Sequence, residues 1–272
     1  MSGPAASIAL SYPRGGALVA GCGNIGGAVV RRLAQAGVPV VVTYQQDAAR
    51  AQDLARALNA EGAQVHPEQL DFSAGGGVAE LLARTVTRLG RLHSIIYCAG
   101  PAIPFLPVRD MPPELLAQHL QADTLGCFRL FHHAIPLLAG SGGGSLTACV
   151  TMANHRRLDT DGLSAIPKAA VESLVRQVAA EEGAHGIRAN AVSIGWVGGF
   201  ADSFAAARAY TAAMEGAYAA PTRALMERLM DLIRLGRPGT GEEVASIVAF
   251  LASEQASYVT GCLVPADGGA TL

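Results

Sequence analysis

Three glycines carry the first chemistry legible in this sequence. Gly21, Gly23 and Gly26 stand in G-x-G-x-x-G spacing within residues 16 to 33, where a short apolar run meets helix-compatible sequence. That spacing lets the backbone approach a pyrophosphate and sets its charge against the N–H groups of a helix N-terminus. The apolar strand before the turn supplies the required context, as do Ala28, Val29, Leu33 and Ala36, which continue an apolar helical face behind it. A second position bears on the far end of such a ligand. The next β-branched run, Val38 to Thr43, ends at Tyr44-Gln45-Gln46. An acid there would hydrogen-bond a ribose 2′-hydroxyl and repel a 2′-phosphate. None stands in those three positions, so the sequence favours NADP(H) over NAD(H), with Arg50 the nearest cation. Further on, Ser94 to Tyr97 runs into Cys98-Ala99-Gly100, whose small side chains leave room for a flat ligand at a strand's carboxyl end. His119, His132 and His133 lack carboxylate or cysteine partners at metal-ligand spacing, so no metal site is expected.

These positions need a scaffold, and the pattern supplies one. Strands are expected at residues 38 to 43, 64 to 70, 94 to 100, 146 to 151 and 187 to 193. Helices are expected at residues 47 to 60, 78 to 89, 115 to 138 and 165 to 182. Alternating strands and helices predict a doubly wound parallel α/β sheet, a Rossmann fold. With 272 residues, 50 % hydrophobic content and no linker, the chain reads as a single domain spanning residues 1–272.

Composition narrows the partners. A net charge of -2 without a basic stripe excludes nucleic acid as the expected partner and points to a small molecule. The five cysteines, Cys22, Cys98, Cys127, Cys149 and Cys262, contain no C-x-x-C pair and read as reduced thiols in a cytosolic protein. No segment reaches the roughly 18 apolar residues of a membrane span. No basic stretch followed by a long apolar run opens the chain, so a soluble, cytoplasmic protein is expected.

Further motifs make the reading specific. The glycine turn, Asp71, Cys98-Ala99-Gly100, Gly186-Ile187-Arg188-Ala189-Asn190-Ala191-Val192, Tyr258-Val259-Thr260-Gly261 and Asp267-Gly268-Gly269 together resemble the short-chain dehydrogenase/reductase family over about residues 16 to 271. The resemblance implies that Asp71, with Phe72 beside it, meets the adenine, and that Tyr44 and Gln45 meet its ribose. It implies that Ala99 and Gly100 pass near the nicotinamide and that Ile194, Gly195 and Val197 meet the carboxamide. The turn is one residue shorter than the family's G-x-x-x-G-x-G, with Asn24 and Ile25 where a glycine would sit.

The catalytic positions depart more. The family uses Asn, Ser, Tyr and Lys; anchored on Lys168, the tyrosine position is Ser164, the serine position Thr151 and the asparagine position Asp123. In the family a tyrosine phenol, acidified from about 10 by the lysine ammonium, protonates the carbonyl oxygen. A serine hydroxyl is shorter and far less acidic, so Ser164 orders a water at most, or simply caps its helix. Thr151 keeps a hydroxyl for the carbonyl, Asp123 could repel an oxyanion or relay a proton, and Lys168 would hold the nicotinamide ribose. Other proton sources are His155, the tyrosines Tyr97, Tyr210 and Tyr218, or an acidic group on the substrate itself.

Residues 198 to 234 form the substrate-facing lid by the same resemblance. Phe200, Phe204, Ala207, Tyr210, Met214 and Tyr218 fall in one bulky helical stripe and Leu225, Met226, Leu229, Met230 and Ile233 in a second, with Trp196 at the entry. Either a hydrophobic lid or ordinary core packing would produce such stripes. The expected activity is NADPH-dependent reduction of a ketone on a hydrophobic substrate, a 3-oxoacyl thioester or aromatic polyketide. The alternative is a non-catalytic NADP-binding partner subunit or redox sensor. The resemblance further implies a homodimer or homotetramer, through the helices around residues 115 to 138 and 165 to 182 and the C-terminal strand.

Overall fold

The computed structural model describes residues 9–198, 203–216 and 218–272. Its strands are β1 (Gly16–Ala20), β2 (Val40–Tyr44), β3 (Val65–Gln69), β4 (Leu92–Tyr97), β5 (Gly144–Thr151), β6 (Ile187–Ile194) and β7 (Leu263–Ala266). All pair in parallel in the order β3-β2-β1-β4-β5-β6-β7, so the order reverses between β1 and β4 and a crevice opens at their carboxyl ends. Every residue of β1 and β4 is buried, as expected of central strands covered on both faces. Within the described strands, prolines occur only where a missing ladder donor is tolerated, Pro67 and Pro265 lying on the edge strands β3 and β7.

The helices are α1 (Asn24–Gln35), α2 (Ala48–Ala60), α3 (Val78–Leu89), α4 (Pro113–His119), α5 (Gly126–Gly140), α6 (Gly162–Glu182), α7 (Phe204–Ala212), α8 (Ala219–Leu232) and α9 (Gly241–Ala252). Val29, Val30 and Leu33 of α1 join Val244, Val248 and Leu251 of α9 against Val40 and Val42 on one face of the sheet. On the other, Leu81, Leu130, Phe131, Val171 and Val175 pack on Leu18, Ile95 and Leu146. Each fully buried Leu, Val or Phe contributes about 1.5–3 kcal/mol, so these apolar layers hold the sheet's carboxyl ends in register. Among the described residues no helix is long and apolar enough to cross a membrane.

Three elements differ from the sequence pattern. The single helix expected over 115 to 138 is divided: α4 ends at His119, Leu120–Leu125 forms a π-helical turn, and α5 begins at Gly126. Apolar spacing is insensitive to one inserted residue, whereas π turns concentrate at functional sites. Gly126 permits this one, since a Cβ there would collide with the Tyr97 hydroxyl. Next, α6 begins at Gly162 rather than Ala165, so Asp161 is its N-cap residue and Ser164 lies inside the first turn; Ser164 is not the cap. Finally, the first lid stripe is not one helix, because α7 ends at Ala212 and α8 begins at Ala219. Phe200 of that stripe lies outside the described residues.

Candidate active site

The crevice at the strand reversal is a groove of about 510 Å³ whose lining includes Gly21, Gly23, Tyr44, Gln45, Asp71, Phe72, Ala99 and Gly100. Gly21 adopts φ 96°, in the left-handed region, and a Cβ there would stand 2.9 Å from the Ala99 backbone. Its N–H donates to Thr43 Oγ1 at 3.0 Å, tying the turn to β2. Gly26 lies under the turn, where a Cβ would collide with the Gly21 carbonyl. Gly23 is different. It is the N-cap of α1, no side chain caps the helix, and nothing lies within 4 Å of its would-be Cβ. The first N–H groups of α1 are therefore left for a ligand, which is the cradle a pyrophosphate requires.

The neighbouring residues have other partners. Asn24 donates its side-chain amide to the Gly198 carbonyl at 3.1 Å, and Ile25 packs against the apolar layer beneath α1. At the far end, Asp47 and Arg50 line the same groove. Asp47 stands just beyond the strand-end positions Tyr44-Gln45-Gln46; as the N-cap of α2 its Oδ1 accepts from the Arg50 N–H at 2.9 Å. Asp71 Oδ1 accepts from the Ser73 hydroxyl at 2.6 Å and the Ser73 N–H at 2.8 Å, which holds its carboxyl below the usual range. Phe72 is buried edge-on against Tyr97. Gly195 lies so close to Asp267 that a Cβ would stand 2.6 Å from its Cα. The Asp267 carboxylate ties that turn by accepting from the Gly269 and Thr271 N–H groups, and Val197 is bridged to Gly239.

Beside Gly100 and Ala122 of this groove lies a buried ion pair. Lys168 Nζ donates to Asp123 Oδ2 at 2.6 Å, the two side chains being 15 % and 2 % exposed. Asp123 is carried by the π turn, which Thr124 holds against α6 by donating to the Pro167 carbonyl at 2.8 Å. Burial pushes the Asp123 carboxyl up, while the Lys168 charge and hydrogen bond pull it back. Gly100 makes the approach possible, since a Cβ there would stand 2.7 Å from Asp123 Oδ1. That Oδ1 is buried and has no hydrogen-bond partner among the described residues. A buried polar atom left unsatisfied costs about 1–3 kcal/mol, so this oxygen marks a place a ligand hydroxyl would fill. Thr151 ends β5, where its Oγ1 accepts from the Ala153 N–H at 3.2 Å and keeps its own proton to donate. Ser164 is buried one helical turn before Lys168.

Asp161 escaped the sequence reading. It is 7 % exposed, stands three residues before Ser164, and burial pushes its carboxyl up to about 7 against the opposing charge of Lys168. It lies outside the four positions carried over by resemblance; its burial, with the Lys168 charge acting on it, is what reveals it. It also lines a cavity of about 800 Å³ formed by residues 106–109 and parts of 153–169, with Arg109, Arg157 and Ile166 among its walls.

The remaining candidates are engaged elsewhere. His155 Nε2 lies 3.1 Å from Glu172 Oε2, which its neighbour Asn154 reaches through Oε1 at 2.7 Å. Tyr97 donates to the Ala122 carbonyl at 2.5 Å, and burial pushes its phenol well above the usual value, so it has no proton to give near neutrality. The His119 ring nitrogens face the Leu115 and Ala102 carbonyls. Tyr210 and Tyr218 are about half exposed. In the lid segment Trp196 stacks on Phe204 at 6.0 Å, and Leu225, Met226, Leu229, Met230 and Ile233 pack with Met152 into a cluster of their own. The second stripe is therefore packed interior, with Phe105 and Leu158 at its margin.

The chain matches the enoyl-(acyl carrier protein) reductase family profile over residues 19–271. It is 31 % identical over 256 residues to cis-4-hydroxycyclohexanecarboxylate dehydrogenase of Sinomonas cyclohexanicum, covering 94 % of this chain and 96 % of that protein. Over 253 residues it is 31 % identical to 1-cyclohexenylcarbonyl-CoA reductase of Streptomyces collinus, covering 92 % and 84 %. A short-chain type dehydrogenase/reductase from Mycobacterium ulcerans superposes with a TM-score of 0.84 at 26 % identity, covering 96 % and 91 % of the two chains. An acetoin dehydrogenase from Enterobacter cloacae does so at 0.78 and 27 %, covering 94 % of each. The family match takes in the glycine turn, strands β2 to β7 and the Lys168 helix, and the chain belongs to the short-chain dehydrogenase/reductase family of oxidoreductases, which bind a nicotinamide dinucleotide.

Proposed function

We propose that this protein is an NADP(H)-dependent reductase of a ketone on a hydrophobic substrate, a 3-oxoacyl thioester or an aromatic polyketide, working without its family's tyrosine acid. The observation that carries the reading is the buried Lys168–Asp123 pair, with a groove fitted to a dinucleotide reaching its neighbours Gly100 and Ala122 and a second cavity, large enough for a bulky substrate, reaching Asp161 at the start of the Lys168 helix. The bound dinucleotide would supply hydride to the carbonyl carbon. The α1 N-terminus and Gly23 hold its pyrophosphate, Asp71 its adenine, and Lys168 its nicotinamide ribose. Thr151 donates a hydrogen bond to the carbonyl oxygen. Ser164 contributes no acid. The preference for NADP(H) is supported by Arg50 in the groove wall and by the lack of an acid at the strand-end positions Tyr44-Gln45-Gln46. Arg109 and Arg157 in the cavity suit a substrate with an acidic or carrier-bound end. The protein works in the cytoplasm, and as a homodimer or homotetramer, the assembly being supported by Leu125, Phe128, Leu137 and Ile166, large apolar side chains exposed on the π turn, α5 and α6.

The test is NADPH oxidation in a single turnover with enzyme in excess, across 3-oxoacyl thioesters and hydroxyaryl ketones. Cyclohexenylcarbonyl-CoA, the compound named for the Streptomyces relative, serves as the alkene control. Ketone reduction that Lys168→Ala abolishes is the expected result. Tight NADPH binding with silence across the panel would favour the second reading, a binding protein without catalysis, for which the loss of the tyrosine at Ser164 is the supporting observation.

A further inference from the structure

Two carboxyl groups flank one ammonium in this site. Asp123 stands at the dinucleotide end, next to Ala122 of the groove wall and against Gly100. Asp161 stands at the cavity end, at the start of α6. Lys168 lies between them in effect, bonded to Asp123 at 2.6 Å and acting on Asp161 through its charge. With both carboxyls ionised the cluster would hold a net negative charge out of water, which is unfavourable enough that such groups keep a proton instead. Asp123 has the direct ion pair. Asp161 has no hydrogen-bond partner for its carboxyl among the described residues, and burial holds that carboxyl protonated up to about pH 7. The other charged side chains around it, lining the same cavity, are Arg109 after β4, and Arg157 and Asp159 after β5.

The backbone also points to use of this residue. Asp161, Ser164 and Lys168 recur at i, i+3 and i+7, on one face of α6. Ser164 leaves that face without a long side chain. Thr160, immediately before Asp161, is the one non-glycine residue at positive φ among the described residues, at 67°. Its carbonyl accepts from the Leu106 N–H at 2.9 Å, and Leu106 is bridged to Asp161. Strain of this kind persists where surrounding contacts enforce it, and it concentrates at active sites. Two further polar atoms of the cavity wall, Asn154 Oδ1 and Thr160 Oγ1, are buried without hydrogen-bond partners among the described residues.

We propose that Asp161 is the acid of this enzyme, giving its carboxyl proton to the carbonyl oxygen of a ketone bound in the cavity between residues 106–109 and the start of α6. The assignment rests on the reductase reading above. In the step, hydride from a reduced nicotinamide dinucleotide forms the new C–H bond at the carbonyl carbon and the C=O π pair moves onto oxygen. The Asp161 O–H bond breaks as the alcohol O–H forms. The products are the alcohol, the oxidised dinucleotide and an Asp161 carboxylate, which faces the Lys168 charge until water entering the cavity returns a proton.

Two measurements test it. Infrared difference spectra of the dinucleotide-free protein should show a protonated-carboxyl band that disappears as pH rises through about 7 and is absent from Asp161→Asn. Single-turnover hydride transfer should slow by about 10²–10⁴-fold in Asp161→Asn, the usual contribution of general acid catalysis. NADPH affinity should stay unchanged, and Asp161→Glu should restore much of the rate. Absence of the acid band would overturn the assignment. So would equal rates in wild type and Asp161→Asn; if only hydroxyaryl ketones then react, the substrate's own phenol is the donor. A wild type that reduces no ketone would sink the reductase reading and the donor role together, whereas an active wild type matched by Asp161→Asn sinks the donor role alone.

Discussion

Holding a carboxyl protonated near neutrality destabilises the fold in a way that pH exposes. The ordinary Asp value of 3.8 describes the unfolded chain, and the folded value at Asp161 is about 7. Between these limits the folded state holds a proton that the unfolded state has released. The unfolded state therefore binds fewer protons, and stability must fall as pH rises through this window. A tenfold loss of acidity on folding is worth about 1.36 kcal/mol, so the rise of roughly three pH units sets a ceiling of about 4 kcal/mol, reached above pH 7. Water reaching the carboxyl through the cavity lowers the realised value. Asp161→Asn keeps the shape and has no proton to lose. Urea unfolding of both proteins from pH 4.5 to 8.5, with slopes checked for constancy, isolates this residue because every other titrating group is common to the two. The variant should gain on wild type by up to about 1.4 kcal/mol per pH unit until about pH 7 and hold a constant lead thereafter. A difference that stays flat with pH, or a wild type that gains on the variant as pH rises, would refute the reasoning.

Two other perturbations test the site. Lys168→Met leaves the Asp123 carboxylate buried without its partner and should lower stability by about 3–5 kcal/mol, whereas Lys168→Met with Asp123→Leu should recover most of it, as a double-mutant cycle in urea would measure. Gly26→Ala forces a methyl into the Gly21 carbonyl and should destabilise by about 1–3 kcal/mol, while Gly23→Ala meets open space and should weaken NADPH binding in a fluorescence titration without moving the melting temperature.

How much of this is legible in the sequence follows from what each signal measures. Periodicity reports which residues face the apolar layers, so most of the strands, their parallel arrangement and the glycine turn can be read directly. It has no access to hydrogen-bond counting along a helix, and the π turn at Leu120–Leu125 therefore merges into one long helix although it carries Asp123. Residue-type motifs locate Lys168, Thr151 and Ser164, because their spacing along the chain is fixed by β5 and α6. They say nothing of Asp47, since the ribose-binding acid is expected at the strand end, whereas the α2 cap brings this carboxylate back to the groove. They are equally silent on Asp161. An aspartate before a helix ordinarily reads as a cap, yet here no cap hydrogen bond forms. Burial, which a single sequence does not display, distinguishes the two roles.

The exchange at position 164 alters what the lysine is for. An ammonium beside a phenol acts by stabilising the phenolate, so the acid must be close to the lysine to be useful. A carboxyl is already far more acidic than a phenol, and the same proximity would strip it of its proton before the substrate arrives. In this fold the lysine's direct bond goes to Asp123, and its remaining influence on Asp161 is outweighed by burial. Asp123, the least expected of the four family positions, thus has a physical role: it ties up the ammonium that would otherwise ionise the donor. Removing that carboxylate by Asp123→Asn should let Lys168 act on Asp161 unopposed and move the infrared transition of Asp161 to lower pH, whereas a transition that stays in place would show that the two carboxyls do not share the lysine.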